Sequence, residues 1–141
     1  MAVIAWIEDD YIIIGAVVQP LEKAGHRVDR YRTAAEALAA VDALRRADLI
    51  LFDVLIPPGD TERDLGKYVG VELMRVLRQD LAVDVPAMAF TVVSSPAIDG
   101  QLQNLGVARM LTKPILPSEL KREVDDVLAS SRAVTSAAAP P

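Results

Sequence analysis

The chain has 141 residues, 52% of them apolar and 25% charged, a composition that fits one globular domain and excludes an intrinsically disordered chain. Its net charge of −5 argues against a nucleic-acid module, which would need a basic face. With no cysteine and one histidine, disulfide frameworks, thiolate or multi-histidine metal sites and cysteine nucleophiles are excluded too.

The chain's start, MAVIAWIEDD, lacks a basic leader region and soon meets Glu8, Asp9 and Asp10. The longest apolar run falls well short of the ~18 residues that cross a bilayer. A soluble, cytoplasmic protein with no membrane partner is expected.

Residues 2–7 (AVIAWI) predict a buried strand. Residues 11–24 predict a helix with Ile13, Ile14, Val17, Val18 and Leu21 on one face. Pro20 inside it predicts a kink or a tight last turn, and Gly25 the stop. Residues 26–31 alternate as a second strand. Thr33 and Glu36 have the spacing of a capping box, opening a helix to about Arg46 with Ala34, Leu38, Val41 and Leu44 inward.

Residues 49–52 (LILF) predict a third buried strand ending at Asp53. Residues 57–70 (PPGDTERDLGKYVG) predict a long polar loop, followed by a short helix over 71–78. Pro86 opens a fourth strand over 87–91, which ends at Thr91. A helix over 96–105 is stopped by Gly106, and a fifth strand over 107–112 meets Lys113. Residues 117–129 predict the last helix, with Leu120, Val124, Val127 and Leu128 inward. Residues 130–141 (SSRAVTSAAAPP) show no amphipathic pattern and are expected as a disordered tail or linker stub, leaving 1–129 as the domain.

Five apolar strands alternating with five helices imply an α/β fold with a doubly wound parallel sheet. Ligands in such sheets bind at the carboxyl ends of the strands. Those ends carry Glu8, Asp9 and Asp10, then Asp53, Thr91 and Lys113. Like charges about 4 Å apart repel by about 4 kcal/mol at an effective dielectric of 20, so the acids call for a cation or a raised pKa. An oxygen-only donor set favours magnesium, Mg²⁺, over zinc. Asp53 is then an oxygen nucleophile toward a phosphoryl group, with Mg²⁺, Lys113 and Thr91 holding the equatorial oxygens. Singly, each residue has a plainer role: Asp9 or Asp10 as a helix cap, Thr91 as a strand residue, Lys113-Pro114 as a surface turn.

Taken jointly, WIEDD with Glu8 and Asp9, LILFDVLIP with Asp53, AFTVV with Thr91 and LTKPI with Lys113 resemble a response-regulator receiver domain of two-component signalling. The resemblance covers about residues 2–129. It implies a flavodoxin-like sheet of order 2-1-3-4-5. It implies that Asp53 accepts a phosphoryl group, that Asp9 binds Mg²⁺ directly with Glu8 beside it, and that the Leu55 carbonyl is a further metal contact. Lys113 would touch the phosphoryl group, Thr91 would shift toward it on activation, and the Lys113-Pro114 bond would be cis. The implied partners are a sensor histidine kinase or phosphotransfer protein and a downstream protein on the face of the fourth helix, fifth strand and fifth helix. Homodimerisation through that face stays open. Such a module is no enzyme beyond its own phosphorylation and slow dephosphorylation.

Three features depart from the family pattern. Met110 stands where the fifth strand usually carries Tyr or Phe, and Val92 where Ala or Gly usually follows the threonine. Leu55 and Val93 are apolar at positions that often place a water, so slow autodephosphorylation is expected. The loop after Asp53 holds roughly nine extra residues, and long loops in compact domains are usually functional or disordered. A degenerate receiver acting as a phosphorylation-independent docking module is the alternative. A phosphohydrolase of the haloacid-dehalogenase type would need a second Asp where Leu55 stands. His26 is expected to be structural or exposed, and Trp6 to lie in the core, placed to report Mg²⁺ binding.

Overall fold

The apolar runs pair as the pattern requires. In a computed structural model that describes residues 1–93 and 95–138, without the side chains of 11–14 and 132–138, five strands form one parallel sheet. They are β1 (Val3–Ile7), β2 (Arg27–Tyr31), β3 (Leu49–Phe52), β4 (Ala87–Thr91) and β5 (Val107–Thr112), in the order β2-β1-β3-β4-β5. This is the flavodoxin-like order that the resemblance implies. Central strands β3 and β4 are buried along their whole length, whereas edge strands β2 and β5 are partly open. The order reverses between β1 and β3, where Ile7 stands level with Phe52, so Glu8 and Asp53 emerge side by side.

Side chains alternate across the sheet and give two apolar layers. Ile4, Trp6, Leu51, Met88 and Phe90 face helices α1 (Tyr11–Lys23) and α6 (Pro117–Ala138), which supply Val17, Val18, Leu21, Leu120 and Val124. Ala5, Ile7, Ile50, Phe52 and Ala89 face α2 (Ala34–Ala39), α3 (Val41–Arg46), α4 (Val69–Arg75) and α5 (Pro96–Asn104). Pro20 is accommodated inside α1, and Gly25 ends that helix in a left-handed conformation at φ +92°. Ile13 and Ile14, expected inward, lie outside the described side chains. No helix among the described residues is long and apolar enough to cross a membrane.

The helices depart from the sequence expectations in four places. The helix expected from Thr33 to Arg46 breaks at Ala40 into α2 and α3, with Ala40 at φ −104° and ψ 26°. Thr33 caps α2 as expected, its Oγ1 accepting from the Glu36 amide at 3.1 Å, but the Glu36 carboxylate reaches the Arg32 amide at 2.7 Å rather than that of Thr33. α4 starts at Val69, inside the expected loop, and runs on into a π-helical turn over Val76–Asp80. The last helix does not stop at Ala129 but continues to Ala138, across most of the expected disordered tail. No Gly or Pro lies between Pro117 and Ala138, and alanine is the best helix former. Residues 139–141 lie outside the described residues.

The long loop is an ordered strap. The Pro57 and Pro58 carbonyls accept the Ala34 and Ala35 amides at 3.1 and 2.9 Å, and so cap α2. Leu65 is buried in the core, and Arg63 pairs with Asp80 at 3.5 Å. Gly59 has φ +73°, and a Cβ there would meet Thr33 Oγ1 at 2.6 Å. At the strap's far end Gly70 lets α4 pass over the end of β3. A Cβ on Gly70 would stand 2.2 Å from the Asp53 carbonyl oxygen and 2.7 Å from Val54 Cα, both backbone atoms. Gly70→Ala is therefore expected to destabilise the fold by about 2–3 kcal/mol in urea unfolding. A loss below about 0.5 kcal/mol, the range of neutral surface changes, would contradict the close approach.

Candidate functional site

Three strand ends bring their polar residues to one point. Glu8 follows β1, Asp53 follows β3, and Lys113 follows β5, and all three side chains are nearly buried, at 2%, 7% and 9% exposure. The Lys113 ammonium bridges the carboxylates, donating to Glu8 Oε2 at 2.5 Å and to Asp53 Oδ2 at 2.8 Å. Asp53 Oδ1 accepts the Leu55 amide at 2.9 Å, and Glu8 Oε1 accepts the Asp10 amide at 3.3 Å. Thr91, also buried, ends β4. Its Oγ1 accepts the Val93 amide at 3.2 Å, and its carbonyl accepts the Lys113 amide at 3.0 Å. The Lys113-Pro114 bond that follows is cis, as expected.

The electrostatics follow from burial and proximity. Burial pushes the Glu8 carboxyl up to about 7, with Asp53 adding in the same direction and Lys113 opposing through its hydrogen bond and charge. Burial pulls the Lys113 ammonium down, but bonds to Asp53 and Glu8 overcome this and hold its pKa above the ordinary value. From about 4.5 to about 7 the folded state thus holds a proton on Glu8 that the unfolded chain has lost. Stability from this group is present below that window and is lost as pH rises through it. Glu8→Gln is expected to flatten this fall, read as urea midpoints on either side of the window. An equally steep fall in the variant would contradict the assignment.

Of the six residues singled out from the sequence, Glu8, Asp53, Thr91 and Lys113 come together. Leu55 stands beside Asp53 and is 43% exposed. Asp9 is exposed, whereas Glu8 and Asp53 are buried, so the three acids do not form one buried cluster. Among the described residues no three Asp, Glu, His or Cys side chains gather at metal-ligating distance. Val92, at 63% exposure, and Leu116, at 61%, stand on neighbouring strand-end loops.

Phe90 was not legible as part of this site. Its ring lies 5.2 Å from the Lys113 ammonium, within cation–π range, and packs edge-on against Trp6 at 6.2 Å. Its position, one residue before Thr91, was the only available signal. Trp6 is fully buried, as expected, and its Nε1 has no hydrogen-bond partner among the described residues. His26 is structural: its Nδ1 accepts the Ala2 amide at 3.1 Å.

Residues 4–125 match the response regulator receiver domain family. The phosphate regulon transcriptional regulatory protein PhoB of Pseudomonas aeruginosa is 30% identical over 125 residues, covering 86% of this chain. The match spans 49% of PhoB, so this chain corresponds to about half of that relative. A CheY-like receiver domain protein from Methanospirillum hungatei superposes with a TM-score of 0.76 at 25% identity, covering 94% of this chain and 98% of that one. The chemotaxis protein CheY4 of Vibrio cholerae gives a TM-score of 0.73 at 26% identity, covering 90% and 98%. Members of the family are signalling modules that accept a phosphoryl group, typically bind Mg²⁺ at an acidic pocket, and interact with histidine kinases or phosphotransfer proteins and downstream targets. By its sequence over residues 4–125 and by its fold, this chain belongs to the response regulator receiver domain family of two-component signalling.

Proposed function

We propose that Asp53 accepts a phosphoryl group from a sensor histidine kinase or phosphotransfer protein in the cytoplasm, in a Mg²⁺-dependent step. The observation that carries this reading is the buried Lys113 ammonium, held 2.8 Å from a carboxylate at the switch point of the sheet. An Asp53 oxygen attacks phosphorus, the bond from phosphorus to the donor imidazole breaks, and the leaving nitrogen keeps the electron pair. The Leu55 amide orients the Asp53 carboxylate, and Lys113 offers a compact positive charge to the incoming oxygens. Thr91, one strand away, offers its hydroxyl to the same group once it moves from the Val93 amide. The resulting change is read on the face of α5, β5 and α6.

The donor chemistry fits the metal. Hard oxygen donors suit Mg²⁺, which needs only one or two carboxylates and keeps several waters. Asp9, Asp53 and the Leu55 carbonyl would hold it, and it would neutralise charge on the transferring group. Exposed Asp9 is open to such a role, whereas Glu8 is engaged by Lys113.

Leu55, Val92 and Val93, which follow Asp53 and Thr91 along the chain, carry apolar side chains that cannot orient an attacking water. The phosphoprotein is expected to decay slowly, and Leu55→Asn to shorten its half-life. A wild-type half-life as short as that of fast chemotaxis receivers would count against this. Uptake itself is tested by intact mass after incubation with acetyl phosphate, with and without Mg²⁺. One phosphoryl adduct that needs Mg²⁺ is the expected result. A folded protein that takes none would favour the phosphorylation-independent docking module.

A further inference from the structure

At the other edge of the sheet, where β4 and β5 begin, a cavity of about 400 Å³ opens beneath α6. Arg78, Arg109, Ser130 and Ser131 line it together with Gly106 and a single carboxylate, Asp84. Arg78 is partly buried on the π-helical turn. Its Nε and Nη1 donate to the Leu105 carbonyl at 2.9 Å and the Val83 carbonyl at 2.7 Å. Those bonds fix the guanidinium plane and leave its Nη2 donors unused by them. Arg109 pairs with Glu123 at 3.3 Å, and Glu123 is not part of the cavity wall.

The backbone around this cavity is also unusual. The π turn over Val76–Asp80 is followed by Ala82 at φ +53°, a left-handed conformation that costs a non-glycine residue roughly 1 kcal/mol or more. π turns occur frequently at functional sites. Here the turn itself carries Arg78 to the cavity, and the left-handed residue follows two positions after the turn ends. Two guanidinium groups and two hydroxyls against one carboxylate give a donor-rich wall. Burial disfavours the Arg78 charge, with Asp84 acting the other way, so an arriving anion relieves a cost already present.

From this wall we infer that the cavity binds a small oxyanion, the phosphate or carboxylate group of a low-molecular-weight ligand. The site is separate from the Asp53 rim and independent of phosphorylation there. Arg78 and Arg109 supply charge-assisted bonds, and Ser130 and Ser131 supply hydroxyl donors from the part of α6 that follows Leu128. Occupancy would tie that part of the helix to the starts of β4 and β5.

Amide correlation spectra of the full chain, without Mg²⁺, test this during titration with inorganic phosphate and, separately, with succinate. Saturable shifts are expected at Gly106, Ala108, Ser130 and Ser131, with Thr91 and Lys113 unmoved. The probe that saturates first identifies phosphate or carboxylate as the preferred group. Arg78 is left intact because its bonds hold two loops together. Arg109→Gln and Ser131→Leu are each expected to weaken binding about tenfold, and their own spectra report the fold. Shifts confined to Thr91 and Lys113, shifts unchanged in both variants, or no saturable shift with either probe would overturn the assignment.

Discussion

Asp53→Asn is expected to abolish phosphoryl uptake while leaving the fold intact. The amide keeps the shape of the carboxylate, and its oxygen can still accept the Leu55 amide, now bonded at 2.9 Å. What disappears is the anionic nucleophile and one of the two charges facing Lys113. Lys113 retains its bond to Glu8 at 2.5 Å, so no ammonium is left unpaired. Because the Asp53 charge helps to hold the Glu8 pKa up, that pKa should move down toward the ordinary carboxylate value in the variant. Stability should change by no more than about 1 kcal/mol, since a like-charge repulsion and an ion pair are lost together. Intact mass with acetyl phosphate and Mg²⁺ reads the first effect. An adduct of undiminished yield in the variant would remove Asp53 from its proposed role.

Lys113→Met should be costly in both stability and transfer. Methionine keeps most of the side-chain volume and deletes the charge. Glu8 and Asp53 then face each other nearly buried, with no cation between them. Removing one partner of a buried ion pair typically costs about 3–5 kcal/mol when the remaining charge stays ionised. Glu8 can escape by protonation, because burial already raises its pKa to about 7 with the lysine present. A loss of about 3 kcal/mol is therefore expected above neutrality, shrinking as pH falls. Loss of one preorganised donor to a transferring group typically costs about a hundredfold in rate, so the initial rate of adduct formation should fall by that order. Urea unfolding at two pH values and a time course of the adduct check both effects. A variant as stable as the parent at every pH would contradict the burial of this pair.

The parts of this architecture that depend on burial were legible in the sequence. The runs AVIAWI, LILF and AMAFT read as strands covered on both faces, and this sets the parallel sheet and hence the strand ends. Glu8, Asp53, Thr91 and Lys113 were legible because each sits where an apolar run stops. Asp9 was grouped with them by adjacency, but the strand ends at Ile7 and the chain bends at Asp9, and of the three acids only Glu8 is buried.

Other features had no local signal. Ala40 lies in an alanine-rich segment with no breaker, so the division of α2 from α3 is set by tertiary packing. The π turn at Val76–Asp80 leaves the helical pattern intact and shifts only its register. Phe90 reads as an ordinary core aromatic until the fold brings Lys113 over its ring. The tail looked featureless because it lacks an apolar stripe, yet its alanines carry helix propensity without one. The strap's polarity suggested a solvated loop, and its anchors, two carbonyls over α2 and buried Leu65, are backbone and long-range contacts that composition does not reveal.

The most direct test of the central claim is to locate the phosphoryl group. Reduction of the phosphorylated chain with borohydride converts an aspartyl phosphate to homoserine, and peptide sequencing by mass then reads its position. Homoserine at position 53 alone, formed only when Mg²⁺ and acetyl phosphate were both present, is the predicted result. Homoserine at Asp9, Asp10 or another carboxylate with Asp53 unchanged would contradict the proposed role of Asp53 and the site built around it.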